Sequence, residues 1–389
     1  MSRKTVFALV ALLAVLGFLL FAWGRLTHQD EGLVPAEIRV SSADSTVAPE
    51  FSGGPGTGLE GRLLVWYTIA NVPLEITVGG EGSGLLKILG VPRFLRPRDI
   101  PIGRKPIRDE WNIATLRLGS GLRGQVRYLT ESNGTWTQAN PTADGRWVFA
   151  TRTENGSEDI GRINVETGVL EPIAFSYSLD RMPSASRDGS RVLFHSFRDH
   201  NAGGDLYLAT QGSTDTGEWI VTRLTDAPTA EYAWPRMAAD GGACIAVERA
   251  IGSKNGRVVF WRMNDDRLLE PRYLTEEIGP VKFPSLDSSG SLACWQMRQG
   301  SRQTLVLWSD FEGIRQLEIP PSEGDAPFDL VQPSITPDGR FVTFIEDHLE
   351  PGADKIGIYD IENQAVVYFT GCDGNVMYPT MSDPASEEK

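Results

Sequence analysis

The chain has 389 residues, with 51 acidic and 37 basic side chains and a formal net charge of −14. That balance argues against nucleic acid as a partner, because such binding depends on clustered Lys and Arg set against phosphate. Hydrophobic residues at 41% suffice for a core, and 41 glycines with 24 prolines suit a turn-rich all-β chain.

The first predicted element is an apolar run over residues 5–23, "TVFALVALLAVLGFLLFAW", with Arg3 and Lys4 before it. Its nineteen residues are close to the roughly 20 needed to cross a bilayer. The two cations would stay on the cytoplasmic side and the remainder would be exported. Residues 1–24 are therefore a membrane anchor or a signal sequence. Length favours the anchor, since signal peptides have apolar cores of about 7–15 residues; cleavage after Gly24, with Ala22 at −3, is the alternative. No cysteine follows the run, which excludes a lipoprotein anchor. Residues 25–58, including "SSADSTVAPEFSGGPGTG", read as a flexible tether in which "AEIRV" could add a short strand.

From residue 59 to 389 the chain is repetitive. "EGRLLVWYTI" starts at Glu60 with a turn glycine and an apolar strand. The next turn glycine, Gly145, comes 84 residues after Gly61, whereas later ones (189, 241, 290, 339) are 44 to 52 apart. The excess contains a basic stretch over residues 87–108, with Lys87, Arg93, Arg96, Arg98, Arg104, Lys105 and Arg108 against one acid, Asp99. Four prolines keep that stretch extended. Its charge opposes that of the rest of the chain. It either lies back on its own acidic domain or holds an anionic partner such as a lipid headgroup or an acidic envelope polymer.

The module itself is clearest in "PSASRDGSRVLFHSFRD" at Pro183 and recurs as "PRMAADGGACIAVER", "PSLDSSGSLACWQMR" and "PSITPDGRFVTFIED". "ANPTADGRWVFATR" is a fifth copy with Ala139 in the proline position. In the four proline copies, proline precedes the turn glycine by six residues. Asp-Gly or Ser-Gly makes the hairpin turn, and the β-branched and aromatic run after it makes a strand. Third and fourth runs such as "GDLYLAT" and "VTRLTDA" complete four strands per unit. A period near 50 with four strands predicts a β-propeller. The C-terminal "YPTMSD" reads as an inner strand lacking a blade, and "EGRLLVW" as a second strand lacking an inner one. Paired, they close a ring of six blades.

The pattern Pro-x-x-Ser-x-Asp-Gly, apolar strand, Arg-Asp, Asp-Leu-Tyr, Arg-Leu-Thr resembles the TolB-type β-propeller repeat over roughly residues 59–383. The resemblance implies a six-bladed all-β fold. The TolB family carries an α/β domain before its propeller, and only about thirty-five residues separate the apolar run from the first strand here. A place in the Tol-Pal system is therefore not implied.

Chemistry is sparse. There is no Gly-x-Ser-x-Gly elbow, and the glycine clusters lack the context of a phosphate loop. His200 and His348 occupy comparable loops, but on non-adjacent blades, so no metal site and no cofactor is assigned. Cys244, Cys294 and Cys372 are odd in number and widely spaced, against a disulfide framework. Asp144, Asp188, Asp240 and Asp338 recur because the turn needs them. The informative position follows the proline on the inner strand, where alternate residues share an orientation. It reads Asn140, Ser184, Arg236, Ser285, Ser334 and Thr380. Arg236 breaks a ring of small polar residues, and its guanidinium could grip a carboxylate or phosphate in the channel. Glu231 or Asp329 pairing with Arg236 is the competing expectation. The function expected is a membrane-tethered, non-enzymatic binding scaffold in the bacterial inner membrane. Its propeller would face the periplasm or exterior and bind a protein or an anionic envelope component. The alternative is a propeller lyase or hydrolase acting on an acidic polysaccharide.

Overall fold

The computed structural model describes residues 51–53, 58–69, 111–119, 126–130 and, with short gaps, 135–385. These fall in one compact unit, Ser45–Lys389. The apolar run at 5–23, the basic stretch at 87–108, His200 and Cys372 lie outside the described residues.

Among the described residues, twenty-six strands make six antiparallel sheets. In chain order, β1 (Phe51–Gly53) precedes β2 (Leu63–Ile69), β3 (Trp111–Arg117) and β4 (Val126–Tyr128) of blade 1. Blade 2 is β5 (Thr135–Pro141), β6 (Trp147–Glu154), β7 (Ser157–Asn164) and β8 (Leu170–Ala174). Blade 3 is β9 (Asp180–Ala185), β10 (Arg191–Ser196), β11 (Asp205–Gln211) and β12 (Trp219–Arg223). Blade 4 is β13 (Ala230–Met237), β14 (Ala243–Ala250) and β15 (Arg257–Asn264), with an outer edge split into β16 (Arg267–Leu268) and β17 (Arg272–Tyr273). Pro271 stands between those halves and has no N–H for a ladder. Blade 5 is β18 (Val281–Leu286), β19 (Leu292–Gln299), β20 (Arg302–Ser309) and β21 (Gly313–Gln316). Blade 6 is β22 (Phe328–Ile335), β23 (Phe341–His348), β24 (Lys355–Asp360) and β25 (Ala365–Phe369). β26 (Val376–Met381) returns to blade 1.

The second strands are apolar on both faces because each is sandwiched between two neighbouring blades. In β2, Leu63 and Val65 pack toward blade 2 with Val148 and Ala150, while Leu64 and Trp66 pack toward blade 6 with Phe341 and Ile345. The same division repeats, so the protein has six inter-blade cores instead of one central core. Apolar burial worth about 25 cal/mol per Å² is thus distributed round the ring.

The ring closes as the sequence implied. β26 pairs with β2, Leu64 opposite Met381 and Thr68 opposite Val376. Each inner strand contacts the next, from β26 through β5, β9, β13, β18 and β22 back to β26. A second closure was not foreseen: inside the expected tether, β1 adds an outer strand to blade 6, Phe51 opposite Phe369. Arg62 locks this seam. It is 2% exposed, donates to Asp338, to Gly58 O (2.8 Å) and to Ser382 O (3.2 Å), and lies over the Phe341 ring.

Candidate functional site

The channel is lined in three layers by the six inner strands. The first layer is made by a repeated β-bulge. Register jumps by three residues on the inner strand against two on its partner, as from Ala233↔Val247 to Arg236↔Ile245, in all six blades. The bulged residues Gln138, Met182, Trp234, Phe283, Gln332 and Tyr378 all have positive φ, 50° to 58°. Such a conformation is uncommon outside glycine and is held here by neighbours. Gln138 Oε1 accepts from Met182 N (2.9 Å), Met182 Sδ from Trp234 N (3.3 Å) and Gln332 Oε1 from Tyr378 N (2.7 Å). Proline follows five of the six bulged residues and has no N–H to lose. Trp234, Phe283 and Tyr378 meet edge to face at 4.9 Å, and Tyr67 stacks on Tyr378 at 5.2 Å. Aromatic rings therefore fill this end of the channel.

The second layer is the predicted polar ring. Ser184 Oγ accepts from Met237 N (2.9 Å) and Ser285 Oγ from Ile335 N (3.1 Å), each in the following blade. Thr380 Oγ1 donates to Ala139 O (3.3 Å), and Ser334 O accepts from Thr343 Oγ1 (3.2 Å). The side chains of Ser184, Ser285 and Thr380 thus knit neighbouring strands together as well as lining the channel.

Arg236 sits in this layer between two small cavities and lines both, together with Ser334 and Thr380. The one on the aromatic side is about 20 Å³, the one on the side of the Asp-Gly turns about 40 Å³. These volumes hold about one and about two or three waters respectively. Among the described residues Arg236 has no carboxylate partner; its Nη1 reaches only Pro183 O, at 3.4 Å. The competing partners are engaged elsewhere: Glu231 with Arg249, and Asp329 Oδ1 with Gln303 N at 2.9 Å. Burial lowers the Arg236 pKa to about 10, with Tyr378, Cys294 and Tyr67 acting the other way, so the guanidinium stays charged at neutral pH.

The third layer is a belt at the turns. Backbone hydrogen bonds run from Arg187 N to Ala239 O, Asp240 N to Ser288 O, Ser288 N to Pro337 O and Asp383 N to Ala143 O (2.6–3.3 Å). Asp338 N donates to the Asp383 carboxylate at 2.9 Å. The repeated aspartates brace their own turns: Asp144 accepts from Thr142 Oγ1 and Asp338 from Thr336 Oγ1, both at 2.6 Å. Arg187 of blade 3 crosses the mouth to Asp383 of blade 1 (3.1 Å) and Ser288 of blade 5 (2.8 Å). Burial and the Asp338 charge raise the Asp383 pKa.

The structure brings Ser184, Arg236, Ser285, Ser334 and Thr380 together. Arg62, Arg187 and the bulge layer were missed by sequence reasoning. The bulge residues had a signal only in their place, immediately before the repeated proline in five of the six copies. The arginines had none, because their partners are hundreds of residues away. Of the remaining candidates, His348 lies 2.9 Å from Glu346. Cys244 and Cys294 are free, and burial raises both thiols above their usual range. No group of three or more metal-ligating side chains occurs among the described residues, and no helix among them is long and apolar enough to cross a membrane.

No protein-family model and no curated protein matches the sequence. Solved structures do match. TolB from Acinetobacter baumannii aligns with a TM-score of 0.57 at 16% identity, over 84% of this chain and 67% of that one. A nidogen/laminin complex chain aligns with a TM-score of 0.51 at 12% identity, over 70% and 95%. A putative TolB from Agrobacterium tumefaciens gives 0.49 at 11%, over 66% and 93%. At these identities the likeness concerns architecture, and function lives in sites that such a fold carries. In fold, the described part of this chain is a TolB-like six-bladed β-propeller.

Proposed function

We propose that the protein is a non-enzymatic binding scaffold, tethered to the membrane by residues 5–23, whose channel takes an anionic group at Arg236. The observation that carries this reading is a charged guanidinium deep in the ring with no carboxylate partner among the described residues. The fifteen residues lining the cavity on the turn side include no Asp or Glu, in a chain of net charge −14. Ser184 and Ser285 each accept one backbone bond there, which leaves a hydroxyl proton to donate. A donor-lined, acid-free cavity favours a carboxylate or phosphate. The basic residues Lys87 to Arg108 would add attraction for an anionic partner or lipid surface.

Arg236→Ser in the full-length chain is the test. Stability without ligand should change little, because an arginine with no ion pair gains little in the free state. The stabilisation given by phosphate or acetate should disappear. A stability loss above about 3 kcal/mol would instead mark a buried structural ion pair and end the reading.

A further inference from the structure

The channel has two ends, and the structure distinguishes them. At one end Trp234, Phe283, Tyr378 and Tyr67 pack ring against ring. Opening it would break those contacts and disturb bulges that neighbouring blades hold through their backbone amides. At the other end the larger and acid-free cavity lies behind the belt of turns, lined there by Ala143, Ala239 and Pro337. Small side chains leave that mouth spanned by long ones, and the crossing member is Arg187. Its side chain is 53% exposed and is held by Asp383 and by the Ser288 hydroxyl. Two contacts of an exposed arginine are a weak barrier, because water screens the pair and the long side chain loses entropy in holding it.

Resting on Arg236 as the anion site, we propose that the ligand's carboxylate or phosphate enters from the turn side past Arg187, by taking the place of Asp383 on that guanidinium. The entry residue and the interior residue are then both arginines. Arg187 follows the polar ring position Ser184 by three residues and lies in the turn just past the end of β9. An anion passing inward leaves one guanidinium for another, through a cavity whose lining includes no Asp or Glu and offers the Ser184 and Ser285 hydroxyls. Asp383 serves as the stand-in anion at the mouth. Its carboxylate also accepts from Asp338 N and faces Arg62 at 3.9 Å, which keeps it in place when Arg187 swings away.

The test is phosphorus NMR of inorganic phosphate with the full-length protein in a nonionic detergent, read for affinity and exchange rate, with acetate as competitor. Arg187→Ser and Asp383→Asn should each speed exchange about fivefold, the change expected from losing an exposed pair of up to about 1 kcal/mol. Arg187→Ser, at an exposed position, keeps the test open should Asp383→Asn unfold. Unchanged exchange in folded Arg187→Ser, or faster exchange in Phe283→Leu instead, would overturn the entry route while leaving Arg236 as the site. Phosphate binding that is absent from the unaltered protein, or undiminished in Arg236→Ser, would overturn the anion site and the route together.

Discussion

Two buried side chains carry unequal risks. Arg62 is almost fully enclosed and answers two carboxylates, Asp338 and Asp383. Burial pushes Asp338 up, but hydrogen bonds from Arg62 and Thr336 and the Arg62 charge outweigh it and leave its pKa lowered. Its contribution to stability is therefore present above the ordinary carboxylate pKa and is lost as pH falls through the lowered value. Arg62→Met should destabilise the fold by about 1–3 kcal/mol in urea unfolding, because it leaves the partly exposed Asp338 and Asp383 without the cation between them, and adding Asp338→Asn should recover part of the loss. His195 also lowers stability on acidification, but because it is buried neutral. It is 4% exposed, and burial first, then Arg181 and Arg249, lower its pKa from 6.5 to about 3. Above pH 6.5 it is neutral folded or unfolded; below that pH only the unfolded chain takes the proton. Stability should fall by roughly 1.4 kcal/mol per pH unit on this account from about 6.5 downward. Denaturation midpoints at several pH values should show a shallower slope for His195→Gln, and an unchanged slope would remove His195 as the source.

Strands meet their neighbours at tolerances the composition does not reveal. Gly357 in β24 lies under the Phe344 ring, and a Cβ there would sit 2.0 Å from it. Phe344 is wholly buried in the core between blades 5 and 6. Gly357→Val should overpack that core and cost about 1–3 kcal/mol, measurable as a lowered urea midpoint. Loss of the same glycine with no change in midpoint would mean that the ring moves freely. The bulges are the other feature at this scale. Six inner strands carry the same irregularity at the same place, so it belongs to the architecture, while the identity of the bulged residue differs from blade to blade. That combination turns a repeated backbone into an uneven surface: in ring order from blade 1 the bulged residues are Tyr378, Gln138, Met182, Trp234, Phe283 and Gln332.

The ring as a whole depends on its seam. Deleting residues after Met377 removes most of β26, exposes the inner edge of β2 and takes away Asp383. Open edges invite aggregation, so this truncation should be insoluble or markedly less stable. A chain starting at Gly58 should lose only the β1 addition to the outer edge of blade 6 and remain folded. Comparing the two by solubility and thermal unfolding tests which closure holds the ring, and a soluble, equally stable C-terminal truncation would make the seam unnecessary.

The sequence by itself determined the repeat, the four strands of a unit, the number of blades and the pairing of the two chain ends. All of these follow from local signals at a regular spacing: glycine turns, apolar strands and a proline six residues ahead. It also singled out Arg236, because a charge in a position otherwise small and polar is visible across six aligned copies. Only the tertiary structure decided that Glu231 and Asp329 are occupied elsewhere, that Arg187 reaches across the mouth, and that Arg62 bridges residues 276 apart in the chain. It alone showed the bulges, since a positive φ at Trp234 or Phe283 contradicts local preference and is kept by hydrogen bonds and ring contacts from other blades. The physical reason is common to these cases. Strand and turn formation is governed by neighbours in sequence, whereas the filling of the channel is governed by six segments that meet only when the ring closes.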